Sequence, residues 1–297
     1  MQSKSNRLAL LEKYKGLKRP LILDGAMGSL LQQKGIPGDK HLWFSKLNID
    51  NPKLVIEIHK EYIDAGADII TTNTFRTNPA SLKASNYSFD QSKFVFRSVQ
   101  IAIEAREDKE IIIAGSNAPA EDCYHKERTI SMYELDYNHK KHIELLWENG
   151  VDVLWHETQS HWDEIEIISK FCSYNSLPFV MNFYFNDDLK LLSGEPLSEA
   201  VDFAKEFSPV AIGFNCIKPD IFRKYFEKHE IGYNWGFYFN CGAGNVSDNY
   251  IHCGIDPTKY TEIIRQYLNY KPVFIGSCCG SSPLHTQTIK DFFDEIY

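Results

Sequence analysis

Short apolar runs rich in branched side chains recur along the chain, and each gives way to a segment with helical spacing of its apolar positions. The runs cover residues 21–24, 68–72, 111–115, 151–157, 178–183, 210–215, 235–240 and 272–276. They predict strands, because four to eight apolar residues bounded by turn formers fit a buried extended segment. Between and after them, residues 52–65, 89–107, 132–149, 162–174, 197–207, 220–229, 257–268 and 282–296 place apolar residues at intervals of three and four, predicting helices. Several strands carry no polar face at all; Ile111, Ile112, Ile113 and Ala114 stand in a row. Such runs suit parallel strands with helices over them.

Strict strand–helix alternation implies a parallel sheet, and eight units in 297 residues fit a closed (β/α)8 TIM barrel in a single domain. A doubly wound open sheet is the rival. Its nucleotide-binding form needs GxGxxG after the first strand, where this chain has Asp24-Gly25-Ala26-Met27-Gly28. The barrel is therefore expected to span residues 1–297, with 1–19 as a helical lead-in.

Composition narrows the function classes. The chain is 43% hydrophobic and 24% charged, enough apolar material for a large core. Its net charge of −8, with no basic stripe, argues against nucleic acid and against an anionic membrane surface as partners. No window approaches a membrane-spanning length, and the N-terminal segment lacks an export signal's apolar stretch. A cytoplasmic, reducing compartment is expected, so the seven cysteines are expected mostly as free thiols or ligands.

In a parallel barrel the chemistry gathers at the carboxyl ends of the strands. There the chain places Asp24, the run Thr71-Thr72-Asn73-Thr74, His156-Glu157-Thr158, Asn215-Cys216, Asn240-Cys241 and Cys278-Cys279. The last three of these strands are neighbours, about 5 Å apart per step. Cys216 can therefore converge with Cys278 and Cys279, and Gly276 and Gly280 permit the irregular backbone that would aim adjacent sulfurs at one ion. Three thiolates with one open position describe a catalytic zinc site. Buried thiols that merely fill core remain the alternative, and that is the reading for Cys123, Cys172 and Cys253; Cys241 stands between the two.

With LDGAMGSLLQQKG at 23–35, LWFS, GADIITTNTF, HET, GFNC and the terminal GSCCG, the chain resembles the homocysteine S-methyltransferase family of zinc-dependent barrels. The likeness implies Cys216, Cys278 and Cys279 as zinc ligands, and Asp24 and Glu157 as the carboxylates that hold a substrate ammonium. It implies that Gly25, Thr72 and Asn73 shape the pocket at the amino-acid end, and that Asn240 is a fourth ligand or pocket residue. His156 and His161 then need no catalytic role, and Trp43 is a candidate wall for the donor. Departures fall at Ser277, at Gly115-Ser116-Asn117-Ala118-Pro119 and at Glu157-Thr158-Gln159-Ser160, which bear on the donor side more than on the metal.

The implied reaction is transfer of a methyl group from a small onium donor to the thiol of L-homocysteine, giving methionine. S-methylmethionine is the first expectation for the donor, and S-adenosylmethionine or betaine the next; no room is foreseen for folate- or cobalamin-binding domains. The alternatives are another thiol or selenol acceptor, and a non-catalytic barrel that binds zinc or an amino acid.

Overall fold

Helix starts in this protein are set by short polar side chains and by proline. Asn51 accepts from the Leu54 amide before Pro52, Asp256 accepts from the Lys259 amide at 3.0 Å before Pro257, and Ser131 forms a reciprocal capping box with Glu134. Each satisfies amides that the first helical turn leaves without partners. The computed structural model describes residues 17–244 and 250–297.

The sheet strands are β1 (Leu21–Ile22), β2 (Ile69–Thr71), β3 (Ile112–Asn117), β4 (Val153–Gln159), β5 (Phe179–Phe183), β6 (Ala211–Asn215), β7 (Trp235–Phe239) and β10 (Phe274–Ser277). A small antiparallel pair, β8 (Gly242–Ala243) and β9 (His252–Cys253), lies between the last two in sequence. The eight pair in the order β1-β10-β7-β6-β5-β4-β3-β2, all parallel. A parallel bridge from Leu23 to Ile69 and a 2.9 Å bond from the Asp24 amide to the Ile69 carbonyl join β1 to β2 and close the barrel. The expected (β/α)8 architecture is the observed one.

The covering helices are α3 (Pro52–Asp64), α5 (Gln91–Arg106), α6 (Met132–Glu148), α7 (Trp162–Tyr174), α8 (Leu197–Lys205), α9 (Pro219–Phe226), α10 (Pro257–Arg265) and α11 (Pro283–Ile296). Three more, α1 (Met27–Gln33), α2 (Leu47–Asp50) and α4 (Pro79–Ala84), occupy the connections after β1 and β2, where no helix is expected from the pattern. The helical lead-in expected over 1–19 falls on residues 1–16, outside the described residues, and on 17–19, which form no helix.

Two apolar layers follow from strand alternation. One lies between strands and helices; the other fills the barrel with Leu23, Ile69, Ile112, Val153, Trp155, Val180, Tyr238 and Phe274, among others. The amino end is fastened by ion pairs: Arg106 with buried Asp152 at 3.0 Å, whose carboxylate also takes the Ile113 amide, and Arg19 with Asp68 at 2.6 Å. With that end sealed, the polar side chains collect at the opposite mouth.

Candidate metal centre

Cys216 follows β6 with φ +56°, a left-handed backbone that turns its side chain off the strand direction. Cys278 and Cys279 follow β10, and Gly280 behind them takes φ +83° where a Cβ would sit 2.6 Å from the Gly242 Cα. Only glycine passes there, and the sharp turn presents both neighbouring sulfurs to one side. The three sulfurs lie within 4.8 Å of one another. Those of Cys278 and Cys279 are 3.9 Å apart, and those of Cys216 and Cys278 are drawn together as a disulfide pair, with Cα atoms 5.6 Å apart.

The donor set fits a soft divalent metal. Zinc–sulfur bonds of about 2.3 Å in tetrahedral geometry require sulfurs roughly 3.8 Å apart, which is the separation Cys278 and Cys279 already have. The Cys216 and Cys278 sulfurs lie close enough to pair with one another when oxidised, and in the reduced state all three would ligate one ion, as expected of thiols or ligands. Burial pushes the Cys279 thiol up to about 11, against its own backbone hydrogen bond and one from the Tyr124 hydroxyl. A thiol in so dry a place needs a cation to ionise.

The remaining cysteines divide differently from expectation. Cys172 is buried core against His156, and Cys241 is buried outside the sulfur cluster, its amide donating to the Cys279 carbonyl at 2.8 Å. Cys253 was expected in the core but is exposed on β9, because the β8–β9 pair stands outside the barrel wall. Cys123 is buried as expected, yet it borders the active cavity; burial raises its thiol to about 12.

A cavity of about 1530 Å³ opens over the sulfurs and is bordered by Asp24, Gly25, Thr72, Asn73, Glu157, Asn240 and Trp43. Every site residue anticipated from the sequence borders it. Asp24, 4% exposed, accepts from the Thr71 amide at 2.8 Å and from the Thr71 hydroxyl at 3.1 Å. Glu157 accepts from the Ser116 hydroxyl and, at 3.1 Å, from the Tyr238 hydroxyl, which in turn accepts from the Trp155 indole. Burial raises both carboxyl groups above the ordinary range, and the Glu157 charge raises Asp24 further. Neither forms an ion pair among the described residues, so two acidic groups face one cavity without a cation paired to either of them.

A side chain at Gly25 would place its Cβ 2.7 Å from the Ser281 hydroxyl and 2.8 Å from the Tyr62 ring, which keeps the floor beside Asp24 open. The Thr72 hydroxyl is spent on Thr74 at 2.6 Å and on the Ser116 amide at 3.0 Å. Asn73 donates to the Phe44 carbonyl and to the Asn48 side chain, both at 3.0 Å, so its amide holds the loop that shapes the wall. The Asn240 oxygen accepts from the Gly242 amide at 2.7 Å. Trp43, at φ +52°, sits with its indole nitrogen 2.3 Å from where a Cβ on Gly28 would be. His156 and His161 lie off the cavity: His156 bonds Asn117 at 2.9 Å, and His161 meets the Lys126 carbonyl at 3.1 Å. Ser116, Tyr238 and Tyr124 were not anticipated. The signal for Tyr238 was its inward place between Phe237 and Phe239, which face the helices.

A (β/α)8 barrel with three convergent cysteine sulfurs at its carboxyl mouth, beside two unpaired buried carboxylates, is the class of protein that these features define. The sequence model of the homocysteine S-methyltransferase family matches residues 21–293, and the chain belongs to that family of methyltransferases. It is 29% identical to the homocysteine S-methyltransferase of Escherichia coli K12, over 97% of this chain and 99% of that protein. The crystal structure of the E. coli homocysteine methyltransferase MmuM in its metallated form is similar at TM-score 0.77 and 25% identity, covering 96% of this chain and 98% of that one. The selenocysteine Se-methyltransferase of Brassica oleracea var. italica is 23% identical, over 90% of this chain and 87% of its own.

Proposed function

We propose that this protein is a zinc-dependent methyltransferase that moves a methyl group from a small onium donor to the thiol of L-homocysteine, yielding methionine. The observation that carries the reading is the pairing of the Cys216–Cys278–Cys279 cluster with Asp24 and Glu157 on one cavity. Cys216, Cys278 and Cys279 would hold the zinc, with Asn240 at hand as a fourth ligand or wall. Zinc there would supply a Lewis acid that lets a substrate thiol ionise at neutral pH while its sulfur stays nucleophilic.

The protein's own groups do the rest. Asp24, oriented by Thr71, and Glu157, oriented by Ser116 and Tyr238, receive the acceptor's ammonium, which supplies the cation that both carboxylates lack. Gly25, Thr72 and Asn73 keep the amino-acid end of the pocket open and rigid. In the transfer itself the donor's onium–methyl bond breaks, a carbon–sulfur bond forms on the acceptor, and the bonding pair stays on the donor, whose onium centre leaves as a neutral sulfide or amine. Positive charge disappears in that step, so the buried floor of the barrel favours it over water.

A cavity of about 1530 Å³ exceeds what one amino acid fills, which supports two ligands bound together. S-methylmethionine is the donor proposed first, with S-adenosylmethionine and betaine after it. The selenocysteine methyltransferase among the relatives supports a second reading, a selenol or another thiol as acceptor. Methyl transfer assayed over a panel of acceptors and onium donors, alongside zinc content, decides between them. Homocysteine methylation with about one zinc per chain is expected; a folded, zinc-reconstituted protein that methylates none of the acceptors would overturn the proposal.

A further inference from the structure

The cavity over the sulfurs extends outward past α4 to a guanidinium that the fold does not neutralise. Arg76, in the connection between β2 and α4, borders the cavity. One Nη1 hydrogen goes to the Glu121 carbonyl at 2.6 Å, and the group lies against the Phe75 ring, 5.2 Å from its centroid. Among the described residues its other N–H groups have no protein partner and no carboxylate stands within ion-pair distance. The nearby acids are engaged elsewhere. Glu121 takes the Thr129 amide at 2.7 Å and the Thr129 hydroxyl at 2.5 Å, and Asp122 takes the Tyr124 amide at 2.9 Å. A half-buried guanidinium, pinned at one corner and backed by an aromatic ring, offers its free edge to a planar anion.

The neighbours of Arg76 lead back to the reacting end. Cys123 and Tyr124, two and three residues past the Glu121 carbonyl that Arg76 bonds, border the same cavity as Cys279, and the Tyr124 hydroxyl bonds the Cys279 sulfur. Asp24 and Glu157 border the same cavity and suit an ammonium, not an anion. Arg76 is thus the cavity's complement for a second molecule.

We infer that Arg76 anchors the carboxylate of the methyl donor, so that the donor this protein takes is an onium compound that also carries a free carboxylate. The inference rests on the methyl-transfer reading above, and its test separates the two. Binding is measured by calorimetry on the zinc-loaded protein, using S-methylmethionine, betaine and S-adenosylmethionine, each beside its carboxyl methyl ester. The wild type is expected to prefer at least one acid over its ester by tenfold or more. Arg76→Gln is expected to erase that preference, and Arg76→Lys to keep part of it. In turnover, Arg76→Gln should raise the donor KM tenfold or more, with the homocysteine KM and the zinc content within twofold of wild type. An acid-over-ester preference that survives in Arg76→Gln, or no binding of any of the three acids to the wild type, overturns the anchor. Binding that follows this pattern without methyl transfer upholds the anchor and overturns the proposed reaction instead.

Discussion

The Asn215 side chain grips Thr158 across the barrel mouth: its Oδ1 accepts from the Thr158 amide at 2.9 Å, and its Nδ2 donates to the Thr158 hydroxyl at 3.2 Å. Both partners are tied to unusual backbone. Thr158, a branched residue, has φ +57°, and Cys216, directly after Asn215, has φ +56°. Such conformations cost about 1–3 kcal/mol each and persist only where the surroundings enforce them. Since Thr158 follows Glu157 and Cys216 follows Asn215, one buried amide holds both Cys216 and Glu157 in place. Asn215→Ala is expected to destabilise the protein by about 2–3 kcal/mol, since it leaves the Thr158 amide unpaired. It should also lower zinc occupancy under mild chelation. Urea unfolding with parallel metal analysis checks this, and a variant with wild-type values for both would show that the clamp is idle.

Loss of a single sulfur should abolish the metal site. Cys216→Ala is expected to retain the fold, because the position is small and buried, but to fall from about one zinc per chain to nearly none. The Cys216–Cys278 pairing adds a redox condition. Oxidised protein should take up no zinc until a reductant is added, after which metal content and methyl transfer return together. Zinc uptake by the oxidised form would exclude Cys216 and Cys278 as ligands.

Asp24 and Glu157 carry a stability penalty whose sign can be worked out. Their carboxyl groups are raised by burial, so the folded state holds protons that the unfolded state releases between the ordinary carboxylate range and the raised values. Their contribution is present below the unfolded pKa and is lost as pH rises through the folded one. At pH 7.5 the unfolded carboxyls are ionised, so the ligand-free folded protein meets the cost either of burying that charge or of keeping the proton. Asp24→Asn keeps an acceptor for Thr71 and removes the titratable group and its cost. It should raise the Tm of ligand-free protein by about 2–4 °C at pH 7.5, with less gain at pH 5.5. Glu157→Ala should raise the homocysteine KM tenfold or more while affecting kcat less. An unchanged Tm in the first variant, or an unchanged KM in the second, would contradict the assignment.

The barrel was legible because parallel strands buried on both faces leave unbroken apolar runs. Strand 179–183 was anticipated at 178–183, and the helix Trp162–Tyr174 was anticipated at its observed bounds. The short helices α1, α2 and α4 escaped because four to seven residues hold too little periodicity to register. The sulfur cluster could be foreseen from strand order, since β6, β7 and β10 are neighbours in the sheet. Its pocket partners could not. The Tyr238 hydroxyl reaches Glu157 across 81 positions of sequence and Ser116 reaches it across 41, distances that only the closed barrel brings to contact. Arg76 gave no signal either, since a cation becomes informative only once its neighbours are known to be engaged elsewhere.

Acid should unfold this protein early, and the cause lies outside the cavity. His59 on α3 is fully buried, with neither ring nitrogen partnered among the described residues, and burial lowers it to about 4. His142 and His156 share the Asn117 side chain in a closed network; burial takes His142 to about 3 and His156 well below its ordinary value. For a histidine held neutral, the unfolded state binds a proton first, so stability is intact above the unfolded pKa of about 6.5 and falls as pH drops beneath it. Each such group steepens the loss toward about 1.4 kcal/mol per pH unit, and three acting together approach about 4. Unfolding free energy measured from pH 7.5 to 5 should therefore bend downward below pH 6.5. His59→Leu separates the contributions: it removes an imidazole that gains no hydrogen bond from folding, and fills the space with a side chain suited to the apolar face of α3. It is expected to add about 1 kcal/mol at pH 7 and to remove one proton's share of the slope. Asn117→Ala should do the opposite, costing about 2–3 kcal/mol by leaving the His142 Nδ1 and its neighbours unpaired. A flat stability profile down to pH 5, or a His59→Leu variant with an undiminished slope, would place the acid-sensitive groups elsewhere.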